Sequence, residues 1–290
     1  MIRRVLYKDI DFEKYEQCIR TSVVNTFYVQ KSTLDFFCDD WELLVYDDYK
    51  SVMPIPLKKK YLLKFIAMPV FCQQLGILGL SNEVLNKQFL NKLVKNYNIL
   101  TYSFNQNNTF KDKLITRKNY VIPRQNYTDL KKKYSKGRKS VLKNIKNLSF
   151  VVAQMSDLEE QFISNNFKGL KNDTEVQKFI TFIRQRNNQL KIFQVQYFDK
   201  IICVAVIVSD QFSNGLLALI NDENYKELNA SSYLIDTFLR DEIENKDFDF
   251  MGSNHRGIEI FFKSFGASLR TFNYIENSKF RIVKKALRLT

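Results

Sequence analysis

A chain of 290 residues, 45% hydrophobic and 26% charged, has room for two medium domains or one large one and enough apolar surface for a core. Eight glycines and four prolines are too few for a collagen-like or low-complexity chain, and 25 phenylalanines with 15 tyrosines exclude intrinsic disorder. Forty-five basic residues against 31 acidic ones leave a formal charge of +14. That charge points either to an anionic partner or to the Lys, Asn, Ile and Phe drift of an AT-rich genome.

In chain order, residues 42–57 read as two short strands around Asp47-Asp48, a hairpin signal. A basic patch, Lys58-Lys59-Lys60, follows. Residues 71–78 (FCQQLGIL) read as another strand. Residues 82–95 read as a helix with Leu85, Phe89 and Leu93 on one face, and residues 98–104 as a strand. Turn signals fill residues 123–129. From Lys131 to Asn147 there are eight Lys/Arg and no acid, with Val141, Leu142 and Ile145 at helical spacing. This predicts a basic helix over 130–146. Two helices follow, at 156–168 and 173–187. Residues 191–197 and 201–208 read as strands around Phe198-Asp199-Lys200, and 214–220 as the next. A loop leads into a helix at 230–245, with Ile235, Leu239 and Ile243 on one face. Residues 247–251 form a strand, Ile258–Phe265 a short apolar helix, and the final NSKFRIVKKALRLT a basic helical tail.

The order strand, hairpin, strand, strand, helix, strand occurs twice. It predicts two copies of one mixed α/β domain, spanning 1–125 and 126–290, with the basic helix at the start of the second.

The cysteines Cys18, Cys38, Cys72 and Cys203 form no CxxC pair and have no histidine at ligand spacing, so no metal site is expected. The start of the chain has no apolar leader. The longest apolar run is eight residues, against about 20 needed to span a membrane. A cytoplasmic protein without a transmembrane segment is expected.

Several polar residues stand where chemistry is done. Gln73 and Gln74 are adjacent amides in an apolar stretch, so one of them is expected to line a cleft and bind substrate, or both to sit on an edge strand facing water. Asp247 and Asp249 alternate with Phe248 and Phe250 and share a strand face. Asp249 is nearer the strand's end and is the better acid/base candidate. His255, the only histidine, has the pKa of a general base, or is a surface group. Arg256 suits a carboxylate or phosphate. Gly252 and Ser253 make the intervening turn, at the border of the cleft. Trp41 and Tyr61 flank the first strands and pack the core or hold an acceptor. The basic helix 131–146 offers a nucleic-acid or nucleotide surface, or a solvated face. No GxxxxGK[ST], GxGxxG, HExxH or G-x-S-x-G motif is present.

Three stretches carry a family resemblance: YDDYKSVMPIPLKKKY with FCQQLGIL, then YSKGRKSVLKNIKNLSF, then DFDFMGSNHRGIEIFFKSFGAS. Their order and spacing resemble the tandem-domain Fem-type group of the GNAT acyltransferase superfamily. The resemblance implies a twisted, mostly antiparallel sheet flanked by helices in each domain. It also implies a donor, acyl-CoA in most GNAT proteins and aminoacyl-tRNA in Fem-type enzymes, and an amine acceptor in a cleft between the domains. The donor's phosphates would lie at the turn Leu228-Asn229-Ala230-Ser231-Ser232, with Asn229 as helix cap. The Gln/Arg-x-x-Gly-x-Gly/Ala pattern of CoA-binding relatives is absent there. Lys263 falls at the lysine of the group's FK-x-x-FG signature, which implies contact with an anionic substrate or a carbonyl oxygen. The reading is an N-acyltransferase using acyl-CoA (acetyl-CoA) without a metal, in which Asp249, Lys263 and His255 carry the chemistry. The alternatives are an aminoacyl-tRNA-dependent transferase on a cell-wall precursor, and a non-catalytic module. In both, tRNA, other RNA or an anionic lipid or lipid-linked precursor meets the basic helix.

Overall fold

A computed structural model describes residues 1–22, 26–60, 63–170, 172–186, 189–252 and 255–282. The elements in chain order are β1 (Ile2–Val5), α1 (Phe12–Thr21), α2 (Lys31–Phe37), β2 (Asp40–Tyr46), β3 (Ser51–Lys60), β4 (Leu63–Ile66), β5 (Leu78–Gly79), α3 (Glu83–Asn96) and β6 (Thr101–Ser103). They continue with β7 (Ile115–Ile122), α4 (Tyr127–Lys133), α5 (Lys136–Asn144), β8 (Leu148–Ala153), α6 (Asp157–Asn166), α7 (Asp173–Gln185), β9 (Leu190–Tyr197), β10 (Lys200–Ser209), β11 (Ser213–Asn221), α8 (Ala230–Glu242), β12 (Asp247–Asp249), α9 (Arg256–Ser264) and β13 (Ser268–Glu276). The chain forms two compact units. One comprises residues 1–118 and 270–290, the other residues 119–269.

In the first unit β1, β2, β3 and β4 pair antiparallel in that order. The expected hairpin at Asp47-Asp48 is β2–β3, with Tyr46 opposite Ser51. Strand β5 pairs with Ser51 and Val52 of β3, whereas β4 pairs only with Leu57–Lys60. The stretch between carries Pro54 and Pro56, which have no N–H to donate, so the proline positions coincide with the gap between the two partner strands. The Pro54 carbonyl accepts a hydrogen bond from the Tyr102 hydroxyl at 2.9 Å. Trp41, 2% exposed, packs against Tyr15 and Tyr7. Helix α3 starts at Asn82, whose side chain accepts from Leu85 N, and it buries Leu85, Phe89 and Leu93 as their spacing predicts.

The expected strand over 71–78 is not formed. Only Leu78–Gly79 is extended in a ladder, and Phe71 and Gly76 have positive φ. Side chains satisfy the backbone instead. Asn108 Oδ1 accepts from Ile77 N at 2.8 Å, Tyr102 Oη from Gly76 N at 3.1 Å, and Asn105 Nδ2 donates to the carbonyls of Leu75 and Ile77. Buried backbone groups need partners, and asparagines distant in sequence supply them here. A side chain at Gly76 would run into Asn108 and the Asn105 backbone.

In the second unit the strand order is β7, β12, β11, β10, β9, β8, and β7 contributes Val121 and Ile122. Strand β10 is buried on both faces, which explains its unbroken IICVAVIV run. Cys203, Ala205 and Ile207 join Leu234, Ile235, Phe238 and Leu239 of α8 in one core cluster. Burial pushes the Cys203 thiol up to about 12. The expected single basic helix over 130–146 is two helices. Tyr134, 3% exposed, turns into the core against Phe265, and Ser135 caps α5 by accepting from Arg138 N at 3.1 Å. Serine at that position favours a new helix start over continuation. Among the described residues no helix is long and apolar enough to cross a membrane. Most of the C-terminal tail, 283–290, lies outside the described residues.

One buried charge ties the first unit together. Glu42, 2% exposed, accepts two bonds from the Arg4 guanidinium and one from the Tyr97 hydroxyl. Burial first, and then Glu42, raises the Tyr97 pKa. Arg4→Met leaves that carboxylate short of its charged donor, and because Arg4 is half-exposed the expected loss is about 1–3 kcal/mol, read as a lower urea midpoint at unchanged m.

Candidate functional site

The second sheet opens between β11 and β12. These strands run parallel for only three residue pairs, ending at Gly215 opposite Asp249. Beyond them β12 stops, while β11 continues to Asn221 alongside β10. Two local features cause the opening. On β11, Val206 pairs with Ala218 and Ile207 with Leu216, so Leu217 is an extra, bulged residue, and a bulge bends and twists its strand. On β12, Met251 and Gly252 both have positive φ and turn the chain away. The Asp249 carboxylate holds this turn by accepting from Met251 N at 2.6 Å.

Asp249 also accepts from Asn119 Nδ2 at 3.0 Å. Asn119 is itself 1% exposed, and its Oδ1 accepts from Tyr120 N. The carboxylate therefore sits at the closed end of the opening, oriented by two donors. Neither Asn119 nor this link was visible in the sequence; an amide just before the buried run Tyr120-Val121-Ile122 was the only trace.

At the far end of β11 a short 3-10 segment, Glu223–Leu228, leads to α8. Asn229 does not cap that helix as expected. It is in the left-handed region (φ 55°), makes no side-chain cap bond, and donates from Nδ2 to Glu227 O at 2.9 Å. Ala230 and Ser232 are buried, and Ser231 Oγ bonds Asn221 Oδ1 at 2.5 Å. The amino end of α8 also receives a cation. Arg138 of α5 donates to Ser232 Oγ and, at 3.0 Å, to Ser264 Oγ of α9, and it lies over the rings of Phe261 and Phe265. Burial lowers its pKa, and among the described residues no carboxylate is ion-paired with it. A guanidinium beside the positive end of a helix dipole is repelled by it, and an anion between the two relieves that repulsion. Arg138 was one of eight basic residues in the run from Lys131 to Asn147; its half-buried position over Phe261 and Phe265 singles it out.

The other sequence candidates are dispersed. Lys263 on α9 is 55% exposed, with Nζ 4.0 Å from Glu259 and 5.6 Å from the centre of the Tyr120 ring. The Tyr120 side chain is fully buried and packs against Phe262. His255 occupies the N-cap position of α9 and Arg256 its first turn, both exposed. Asp247, at the start of β12, accepts from Arg124 N at 2.8 Å. Gln74, 8% exposed, donates to Gln73 and accepts from Gln106 N at 3.0 Å, so it braces the irregular 71–78 segment of the first unit. Tyr61 and Ser253 lie outside the described residues. Among the described residues no group of three or more His, Cys, Asp and Glu is placed to hold a metal.

No family model and no curated protein matches the chain. Solved structures do. FemX matches with a TM-score of 0.61 at 10% identity, over 99% of each chain. The tandem GNAT protein from the clavulanic acid biosynthesis pathway matches with 0.53 at 9% identity, over 94% of this chain and 97% of that one. The C-terminal domain of a putative lysylphosphatidylglycerol synthetase from Agrobacterium fabrum matches with 0.50 at 9% identity, over 95% of each. At these identities the likeness concerns the fold. The chain has a mixed α/β, tandem GNAT-like fold with Fem-type likeness, as the sequence resemblance implied.

The closed end of the opening depends on Gly215. A Cβ there would stand 3.0 Å from Met251 Sδ and 3.2 Å from Val208 Cγ1. Gly215→Val is expected to cost about 1–3 kcal/mol, and Met251→Ala in the same chain to recover most of it, measured by urea unfolding of the two single variants and the double.

Proposed function

We propose that this chain is an N-acyltransferase of the second unit's open sheet, moving an acyl group from acyl-CoA to an amine by direct attack. The observation that carries the reading is the convergence at one opening of an unpaired strand edge, the amino end of α8 and Arg138, which has no ion-paired carboxylate among the described residues. Its support from fold is the likeness to FemX and to the tandem GNAT protein.

The donor's phosphates would be held by Arg138 and by the first amides of α8 at Leu228–Ser232. The open edge of β11 offers backbone groups to an extended thioester arm. Transfer needs the amine nitrogen to bond the carbonyl carbon, the carbon–sulfur bond to break, and the amine's proton to leave. Asp249 is assigned the proton, since a carboxylate with two fixed donors keeps lone pairs for a third. Lys263 is assigned the carbonyl oxygen, as a cation on a helix that packs beside the opening. His255 and Arg256 of the second unit are proposed as further contacts of the acceptor or its proton.

A second reading keeps the opening and changes the donor to aminoacyl-tRNA. It is favoured by the turn itself, where Asn229 rather than a glycine takes the left-handed position, and by the basic residues of α4 and α5. A third makes the chain a non-catalytic binder of RNA or anionic lipid through α5.

Calorimetry with CoA separates these. The first reading expects saturable heat, with Arg138→Gln weakening binding about tenfold or more, equivalent to about 1.4 kcal/mol. It also expects Asp249→Asn and Lys263→Ala to lower kcat for acetyl transfer by about 100-fold or more without abolishing CoA binding. A flat CoA titration moves the donor to aminoacyl-tRNA. Loss of function on charge reversal at Lys139 and Lys143, with Asp249→Asn and Lys263→Ala silent, establishes the binder.

A further inference from the structure

The turn between β9 and β10 is built on an unfavourable residue. Tyr197 pairs with Lys200, which leaves Phe198 and Asp199 as a two-residue turn. The first central position of such a turn takes a positive φ, a place that suits Gly, Asn or Asp. Phe198 occupies it, with φ 51°, and is 70% exposed. A bulky residue in the left-handed region is strained, and an exposed ring lacks the burial that would offset the strain. Packing therefore does not account for a phenylalanine here.

The ring is nevertheless held. Its centre lies 4.6 Å from that of Tyr197, tilted by 60°, and the Tyr197 ring lies 6.2 Å from that of Tyr225. Lys200 anchors Tyr225, with Nζ 4.4 Å from the ring centre and 3.2 Å from Asp222 Oδ2. Both tyrosines pack, partly buried, against the core of the second unit. This aromatic row ends beside the turn assigned to the donor's phosphates. Tyr225 belongs to the segment Glu223–Leu228 that leads into α8, and Ser231 of α8 bonds Asn221 at the end of β11. Exposed cations adjoin the row. Lys226 is in the same segment as Tyr225, and Lys146 lies two residues before Leu148, which pairs with Tyr197. An accessible π face among cations, next to a phosphate site, is what a nucleotide's base and phosphates require.

Resting on the reading that places the donor's phosphates at Arg138 and the start of α8, we propose that Phe198 is the stacking platform for the donor's adenine base, with Tyr197 and Tyr225 fixing its position. Two donors share this chemistry, because CoA and the 3′ end of a tRNA both present an adenosine 5′-phosphate. Stacking supplies affinity without reading the base, so the phosphates set the register and the ring holds what they carry.

Calorimetry on the full chain is the test, with CoA, adenosine 3′,5′-bisphosphate, 4′-phosphopantetheine and a short single-stranded RNA ending in a 3′-adenosine. Phe198→Asn is expected to weaken the adenosine-bearing probes that bind about tenfold and to leave 4′-phosphopantetheine unchanged, while Phe198→Trp keeps the parent affinity. Asparagine accepts the left-handed region, so Phe198→Asn should unfold at the parent's urea midpoint or above it, which separates lost stacking from lost folding. Tighter binding of CoA than of the RNA identifies a CoA donor, and the reverse order a tRNA donor. Binding of CoA or the RNA that is weakened by Arg138→Gln but unchanged in Phe198→Asn overturns the platform and leaves the transferase reading standing. Binding weakened in Phe198→Asn but unchanged in Arg138→Gln keeps the platform and overturns the phosphate placement. The platform also falls if no adenosine-bearing probe binds at millimolar concentration, or if 4′-phosphopantetheine is weakened as much as CoA.

Discussion

Strand β11 loses its neighbour halfway along, and the second unit is arranged around that loss. A bulge at Leu217 bends one strand, two positive-φ residues end the other, and the parallel ladder stops at three pairs. An edge opened inside a sheet exposes unpaired backbone groups, which is unfavourable unless a ligand or side chain answers them. Everything polar that converges there does so because the sheet parts: Asp249 at the closed end, the amino end of α8 beyond the end of β11, and Arg138 reaching in from α5.

The two units handle the same constraint differently. In the first, the interruption of β3's edge falls on Pro54 and Pro56, where no donor is lost, and the Tyr102 hydroxyl covers one carbonyl. The segment that would continue the sheet, 71–78, is tied down by Asn105 and Asn108 rather than by a ladder. Its backbone is thus committed to side chains, while the edge of β11 is left open. This asymmetry is the physical argument behind the proposal that transfer takes place in the second unit.

The elements with strong periodicity were legible in the chain. Helix α3, the β2–β3 and β9–β10 hairpins, α6, α7 and α8 stand close to where spacing predicts, because their apolar faces bury against one core and no local choice competes. The errors fell where local chemistry competes. FCQQLGIL has strand composition, yet partners distant in sequence took its hydrogen bonds. The basic run reads as one helix, but Ser135 offered a cap and Tyr134 a buried ring, so it became two. Asn229 has the composition of a cap and instead occupies a left-handed turn.

The sequence alone determined the mixed α/β class, the repeated order of elements and the excess of positive charge, since each depends on composition or on spacing within a few turns of chain. It marked Asp249 and Lys263 as candidates, but not what surrounds them. Only the tertiary structure decided which of eight neighbouring basic residues packs half-buried beside a helix terminus, and that Asn119 orients Asp249 across 130 residues of chain. Those facts rest on desolvation and on contacts between distant segments, and neither leaves a period or a motif in the sequence.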